Sequence, residues 1–148
     1  MKRLRCAVIG AGYLGRFHAQ KYSAIQHCDL IGVVDPDATA RERIAAELGV
    51  AVFADHLELL GSTDAVSVAT PTVTHHAVAR DFLRSGAHVL VEKPITTTEA
   101  EARELIALAA EGGRVLQVGH LERFNPVILA VAGELVNPRF IESNRLAP

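Results

Sequence analysis

Tryptophan is absent from the 148 residues, and tyrosine and phenylalanine number only two and five. With alanine, valine, leucine and isoleucine abundant, so few aromatics favour aliphatic strands between helices over an all-β sandwich. Cysteine occurs twice, at Cys6 and Cys28, without CxxC spacing; a disulfide framework is not expected, and two thiols in a reducing compartment are. Neither sign of charge dominates: 15 Lys and Arg against 17 Asp and Glu give a net charge of −2. No broad basic surface is therefore offered to nucleic acid or to an anionic membrane. No apolar run approaches the ~18 residues of a spanning helix. The basic start Met1-Lys2-Arg3-Leu4-Arg5 is followed by too few apolar residues before Gly10 to serve as a signal peptide. The chain reads as cytoplasmic, without nucleic-acid or membrane partners. None of the seven histidines falls in HExxH or a Cys/His ligand spacing, so no metal site is expected.

What is present is a globular composition, 49% hydrophobic and 22% charged, enough for one core. The apolar period switches repeatedly. Short continuous runs read as strands buried on both faces: Cys6–Ile9, Leu30–Val34, Ala51–Phe53, Ala65–Ala69, His88–Val91 and Val115–Val118. Between them, helical spacing covers Tyr13–Ile25, Asp37–Leu48 and Thr72–Ser85, with a short turn at Leu57–Leu60. Thr98 and Glu101 form a capping box for a helix running to about Ala110, and Asn125-Pro126 opens another. Six strands alternating with helices predict an α/β fold, a doubly wound parallel sheet of the Rossmann type. Arg139–Leu146 reads as one further strand, the start of a second domain.

In such sheets ligands bind beyond the carboxyl ends of the strands. Gly10-Ala11-Gly12-Tyr13-Leu14-Gly15 is a GxGxxG turn between the first strand and helix, the form that cradles a dinucleotide pyrophosphate on a helix N-terminus. Asp35 closes the second strand, 20 residues beyond Gly15. A carboxylate there accepts hydrogen bonds from the adenosine ribose and repels a 2′-phosphate, favouring NAD over NADP. Asp37 can cap the following helix by itself, leaving Asp35 free, whereas Arg41 and Arg43 offer cations for the NADP alternative. Thr70-Pro71-Thr72 follows the fourth strand, where Thr72 is either a helix cap or a ligand. His27, His56, His76 and His88 read as surface histidines. Glu92-Lys93-Pro94 follows the fifth strand. Two readings of it stand: a surface ion pair before a proline turn, or a partly desolvated lysine that shuttles a proton.

The segments GAGYLG, VVDPD, ATPTVTHH, VEKPIT and VGHLERFNP together resemble the cofactor domain of the glucose–fructose oxidoreductase, inositol dehydrogenase and rhizopine catabolism family, over essentially the whole chain. The resemblance implies that Lys93 is catalytic. It implies that Gly10, Gly12, Tyr13, Leu14, Gly15, Asp35, Thr70, Pro71, Thr72, His75, Glu92, Lys93, Pro94, Gln117 and Arg123 bind NAD; Thr72 stands where asparagine is common in the family. VGHLERFNP with IESNRLAP further resembles the subgroup that oxidises the 3-hydroxyl of UDP-N-acetylglucosamine, which implies that His120 and Asn125 face substrate. On the residues alone, Arg123 and Asn125 are equally a loop and a helix cap.

The expectation is therefore an NAD-binding domain over residues 1–136, with residues 137–148 beginning a truncated substrate and oligomerisation domain. Such a chain binds cofactor without turnover. The full-length protein is expected to be a homo-oligomeric dehydrogenase acting on a sugar or sugar nucleotide. A non-catalytic NAD(H) sensor and an S-adenosylmethionine-dependent methyltransferase are the rival readings.

Overall fold

The computed structural model describes residues 3–134, 136–142 and 144. The short aliphatic runs form six strands: β1 Leu4–Ile9, β2 Cys28–Val34, β3 Val52–Phe53, β4 Ala65–Val68, β5 His88–Val91 and β6 Leu116–Val118. All pair in parallel, in the order β3-β2-β1-β4-β5-β6. The chain thus winds outward from β1 through β2 and β3, then returns to build the other side from β4. Ile9 lies opposite Val34 and Val68, Val68 opposite Val91, and Val91 opposite Val118. This register brings the carboxyl ends level, so the residues just beyond them share one edge.

Alternation along each strand divides the core in two. Ala7, Ile9, Val66 and Val68 meet Val78, Ala79, Phe82 and Leu83 of helix α3 (Thr72–Arg84) and Leu105 and Ala109 of α4 (Glu99–Glu111). On the opposite face, Val8 and Val33 meet Ala19 of α1 (Tyr13–Ala24) and Ile44 of α2 (Ala38–Leu48). Phe82 is wholly buried; truncating such a ring to alanine costs about 3–5 kcal/mol. A fifth helix, α5, spans Pro126–Val131.

Element positions agree with the periodicity to within two residues at each end. Thr98 and Glu101 make the expected capping box on α4, and Asp37 caps α2 by accepting from Thr39 N–H. Three expectations are corrected. Thr72 does not cap α3: it is the first helical residue, behind Pro71, and no side chain caps that end. Arg139–Glu142 and Asn144 form no strand, since a single extended segment has no ladder to join; Ser143, Arg145 and Leu146 lie outside the described residues. Of the expected surface histidines only His27 is exposed; His56, His76 and His88 are half-buried, with Asp81, Glu104 and Val115 N–H as partners.

Candidate functional site

The three glycines of the first βα turn serve different ends. Gly10 has φ +102°, and a Cβ there would come within 2.5 Å of Ala69 O. A Cβ on Gly15 would lie 1.8 Å from Gly10 O, so α1 can pack this close to β1 only without one. Both are needed by the fold itself. Gly12 is not: a Cβ there would meet nothing within 4 Å. Its bareness keeps space open for something outside the protein, as close approach of a pyrophosphate requires.

Asp35 joins this turn. Its Oδ2 accepts the Ala11 N–H at 2.7 Å, and its Oδ1 accepts the Asp37 N–H at 2.9 Å. The carboxylate is therefore not free, contrary to the expectation from capping, but an ionised carboxylate has about four acceptor positions and two remain. Arg43 donates to Ala11 O at 2.8 Å, so the Ala11 residue is held from both sides. Arg41 donates to Asp35 O and Pro36 O, at 2.7 and 3.0 Å. Both arginines are thus engaged with backbone carbonyls around the glycine turn and the β2–α2 turn.

A cavity of ≈ 750 Å³ opens along this edge. Gly10, Gly12, Leu14, Asp35, Thr70 and Pro71 all line it. The volume is that of a small-molecule or cofactor site. The helix ends around it are also distinctive. Asp37 caps α2, Thr98 caps α4 and Asn125 caps α5, whereas α1 and α3 have no side-chain cap. These two are the α-helices whose N-terminal residues line the cavity, and neither carries an acidic residue in its first turn. With no side-chain cap, their first-turn N–H groups and positive dipole ends suit an anion. Thr74 Oγ1, also on the wall, lies 2.8 Å from both Thr70 Oγ1 and Pro71 O.

Beyond β5 the picture changes. Glu92 is buried, at 5% exposure, while Lys93 and Pro94 are exposed. The surface ion-pair reading of Glu92 and Lys93 is thereby excluded: Glu92 turns inward to His18, whose Nε2 lies 3.0 Å from Oε1. The desolvation expected around Lys93 is likewise not supplied by the described residues. His75 is 1% exposed and works as a strut: Nε2 is 2.8 Å from Thr70 O and Nδ1 2.9 Å from Pro94 O. It joins the loop after β4 to the loop after β5. Gln117, within β6, and His120 and Arg123, just after it, are exposed. Asn125 accepts the Val127 N–H at 3.0 Å and donates to Glu122 at 2.7 Å, the geometry of a helix cap.

The cavity thus gathers six of the residues expected to bind cofactor. Tyr13, Gly15, Thr72, His75, Glu92, Lys93, Pro94, Gln117, His120, Arg123 and Asn125 are not on its wall. It also includes Ala54, Asp55 and His56, just beyond β3. None of these three was expected from the sequence. The signal was there, since Asp55 and Glu58 form a capping box that fixes the turn. Among the described residues there is no group of three His, Cys, Asp or Glu that could hold a metal, and no helix long and apolar enough to cross a membrane.

Residues 4–120 match an oxidoreductase family with an NAD-binding Rossmann fold. The chain belongs to the Gfo/Idh/MocA family. Within the family it is 47% identical, over its whole length, to UDP-N-acetylglucosamine 3-dehydrogenase from Acidithiobacillus ferrooxidans, covering 47% of that protein. A structure of the same Acidithiobacillus enzyme superposes with a TM-score of 0.84, over 91% of this chain and 44% of that one. The scyllo-inositol 2-dehydrogenase (NAD(+)) of Bacillus subtilis is 34% identical over 92% of this chain and 42% of its own length. GenD2 from gentamicin A biosynthesis, in complex with NAD, superposes with a TM-score of 0.87 at 34% identity, over 93% of this chain and 40% of that one. The chain therefore spans less than half the length of these family members.

Proposed function

We propose that this chain is the cofactor-binding half of an NAD-dependent oxidoreductase acting on a hydroxyl-bearing carbon of a sugar or sugar nucleotide. The observation that carries this reading is the tie between Asp35 and the glycine turn in the wall of one cavity. In this reading Gly12 and the uncapped ends of α1 and α3 would hold the diphosphate. Asp35 would hold the adenosine ribose through its remaining acceptor positions, and Ala54 and His56 would flank the adenine. The nicotinamide half would then be held by residues beyond β4 and β5, Lys93 among them, in keeping with the sheet order. The bound nicotinamide supplies the hydride acceptor. Lys93 Nζ takes the substrate hydroxyl proton as the carbinol C–H leaves with its electron pair. His75 holds the Lys93-Pro94 loop, and Gln117, His120, Arg123 and Asn125 lie on the nicotinamide and substrate side. Residues 1–136 form the cofactor unit, and residues 137–148 lead into a substrate domain.

The narrower reading places the chemistry at C3 of UDP-N-acetylglucosamine. It is supported by the identity to the Acidithiobacillus enzyme along the whole chain.

Calorimetry with NADH, NADPH and S-adenosylmethionine tests the cofactor assignment. NADH should bind most tightly, and S-adenosylmethionine not at all. Tight NADPH binding with weak NADH binding would overturn the role given to Asp35. Turnover by the full-length enzyme, offered UDP-N-acetylglucosamine and scyllo-inositol with NAD, tests the substrate.

A further inference from the structure

Glu92 is the one buried carboxylate among the described residues, and the proton transfer assigned to Lys93 gives it no work. Its surroundings do. Oε1 faces His18 Nε2 at 3.0 Å, and Oε2 accepts the Lys93 N–H at 3.2 Å. The carboxylate lies directly under Gly119, where a Cβ would come within 2.9 Å of Oε1 and 3.0 Å of Oε2. A carboxylate only accepts, so the contact is made in the His18 tautomer that carries its proton on Nε2. The His18 side chain is 14% exposed and that of Glu92 6%, so water competes little for this contact.

The pair bridges two parts of the cofactor site. His18 belongs to α1, whose first turn continues the Gly10–Gly12 loop. Glu92 follows β5, two strands from β1 on the side opposite Asp35. Their contact therefore spans the switch point between β1 and β4, tying the helix of the diphosphate turn to the peptide that carries Lys93.

We propose that His18 is a positioning residue. Acting through Glu92, it fixes the Glu92–Lys93 peptide and with it the nicotinamide half of the site, while leaving the adenosine half alone. This rests on the NAD reading of the cavity.

Two probes separate the halves: NADH, and ADP-ribose, which keeps the adenosine, both phosphates and a ribose but lacks the nicotinamide. Calorimetry on this chain should show His18→Leu weakening NADH about tenfold, because binding must then order the released Glu92–Lys93 peptide. ADP-ribose should bind as before. His18→Gln, which keeps an N–H for Glu92, should restore most of the NADH affinity. Gly119→Ala, which displaces the carboxylate with His18 intact, should reproduce the selective loss, and it carries the test if His18→Leu fails to fold. Equal losses for both ligands, or no loss for NADH, would reduce the pair to packing and overturn the proposal. If the unaltered chain binds neither ligand, the NAD reading falls and this one with it. If it binds both and no variant discriminates, this inference alone fails.

Discussion

The carboxylate of Asp35 accepts the backbone N–H of Ala11 at 2.7 Å. The group we assign to the ribose thus also fixes the shape of the turn we assign to the diphosphate. Ala11 is wholly buried, so no water can replace that acceptor. In that assignment one side chain would serve both the sugar and the shape of the phosphate cradle.

Removing that side chain should therefore do two things at once. Asp35→Ala leaves the Ala11 N–H buried without an acceptor, a cost of about 1–3 kcal/mol. A fall in melting temperature on the order of 5 °C should result, with NADH affinity reduced by more than about tenfold. Thermal unfolding and calorimetry on one sample check both. An unchanged melting temperature would mean that the turn holds its shape without Asp35.

The glycines should separate cleanly. Gly12→Ala has open space for its methyl group, so the protein should unfold at an unchanged temperature yet lose NADH binding. Gly15→Ala would put Cβ 1.8 Å from Gly10 O, and α1 must then leave β1. Cooperative thermal unfolding should disappear. If Gly12→Ala binds NADH normally, the diphosphate does not lie where we place it.

Lys93 is exposed and contributes little to the core. In the oxidoreductase proposed above, Lys93→Met should therefore leave stability near its original value. It should lower kcat by about 10²–10⁴-fold, the ordinary worth of a general base. Steady-state kinetics with NAD saturating decides this. Undiminished kcat would remove Lys93 from the proton transfer.

Burial, then the hydrogen bond with the neighbouring Cys28 thiol, pushes the Cys6 thiol up to about 12 from 9.0. Both cysteines are free and buried, and the thiolate is the reactive form. Neither should react with a thiol reagent at pH 8 in the folded protein, and both should react once urea unfolds it. The unfolded chain releases the Cys6 proton near 9 while the folded chain holds it to about 12. Stability from this thiol is thus complete below pH 9 and declines as the pH rises through that window. Urea titrations at pH 8 and pH 11 should show a larger loss in the unaltered protein than in Cys6→Ala.

Much of the fold follows from local chemistry. Continuous apolar runs such as Ala65–Val68 suit strands covered on both faces, and 3.6-residue spacing marks the helices between them. The glycine turn and Asp35 were legible for a related reason: a tight turn and a fixed offset along the chain are local properties. The caps at Asp37, Thr98 and Asn125 were legible too, because each is satisfied within three residues of itself.

Long-range packing decided the rest. No spacing in the chain announces that His18 would meet Glu92 74 residues later, that His75 would brace Pro94, or that His56 would reach the cavity wall. Those meetings depend on the order β3-β2-β1-β4-β5-β6, which sets distant strand ends side by side. The sequence by itself determined the elements and the glycine turn, because neighbouring residues suffice to specify them. Only the tertiary structure decided which polar side chains would be buried together, because burial is a property of the assembled sheet.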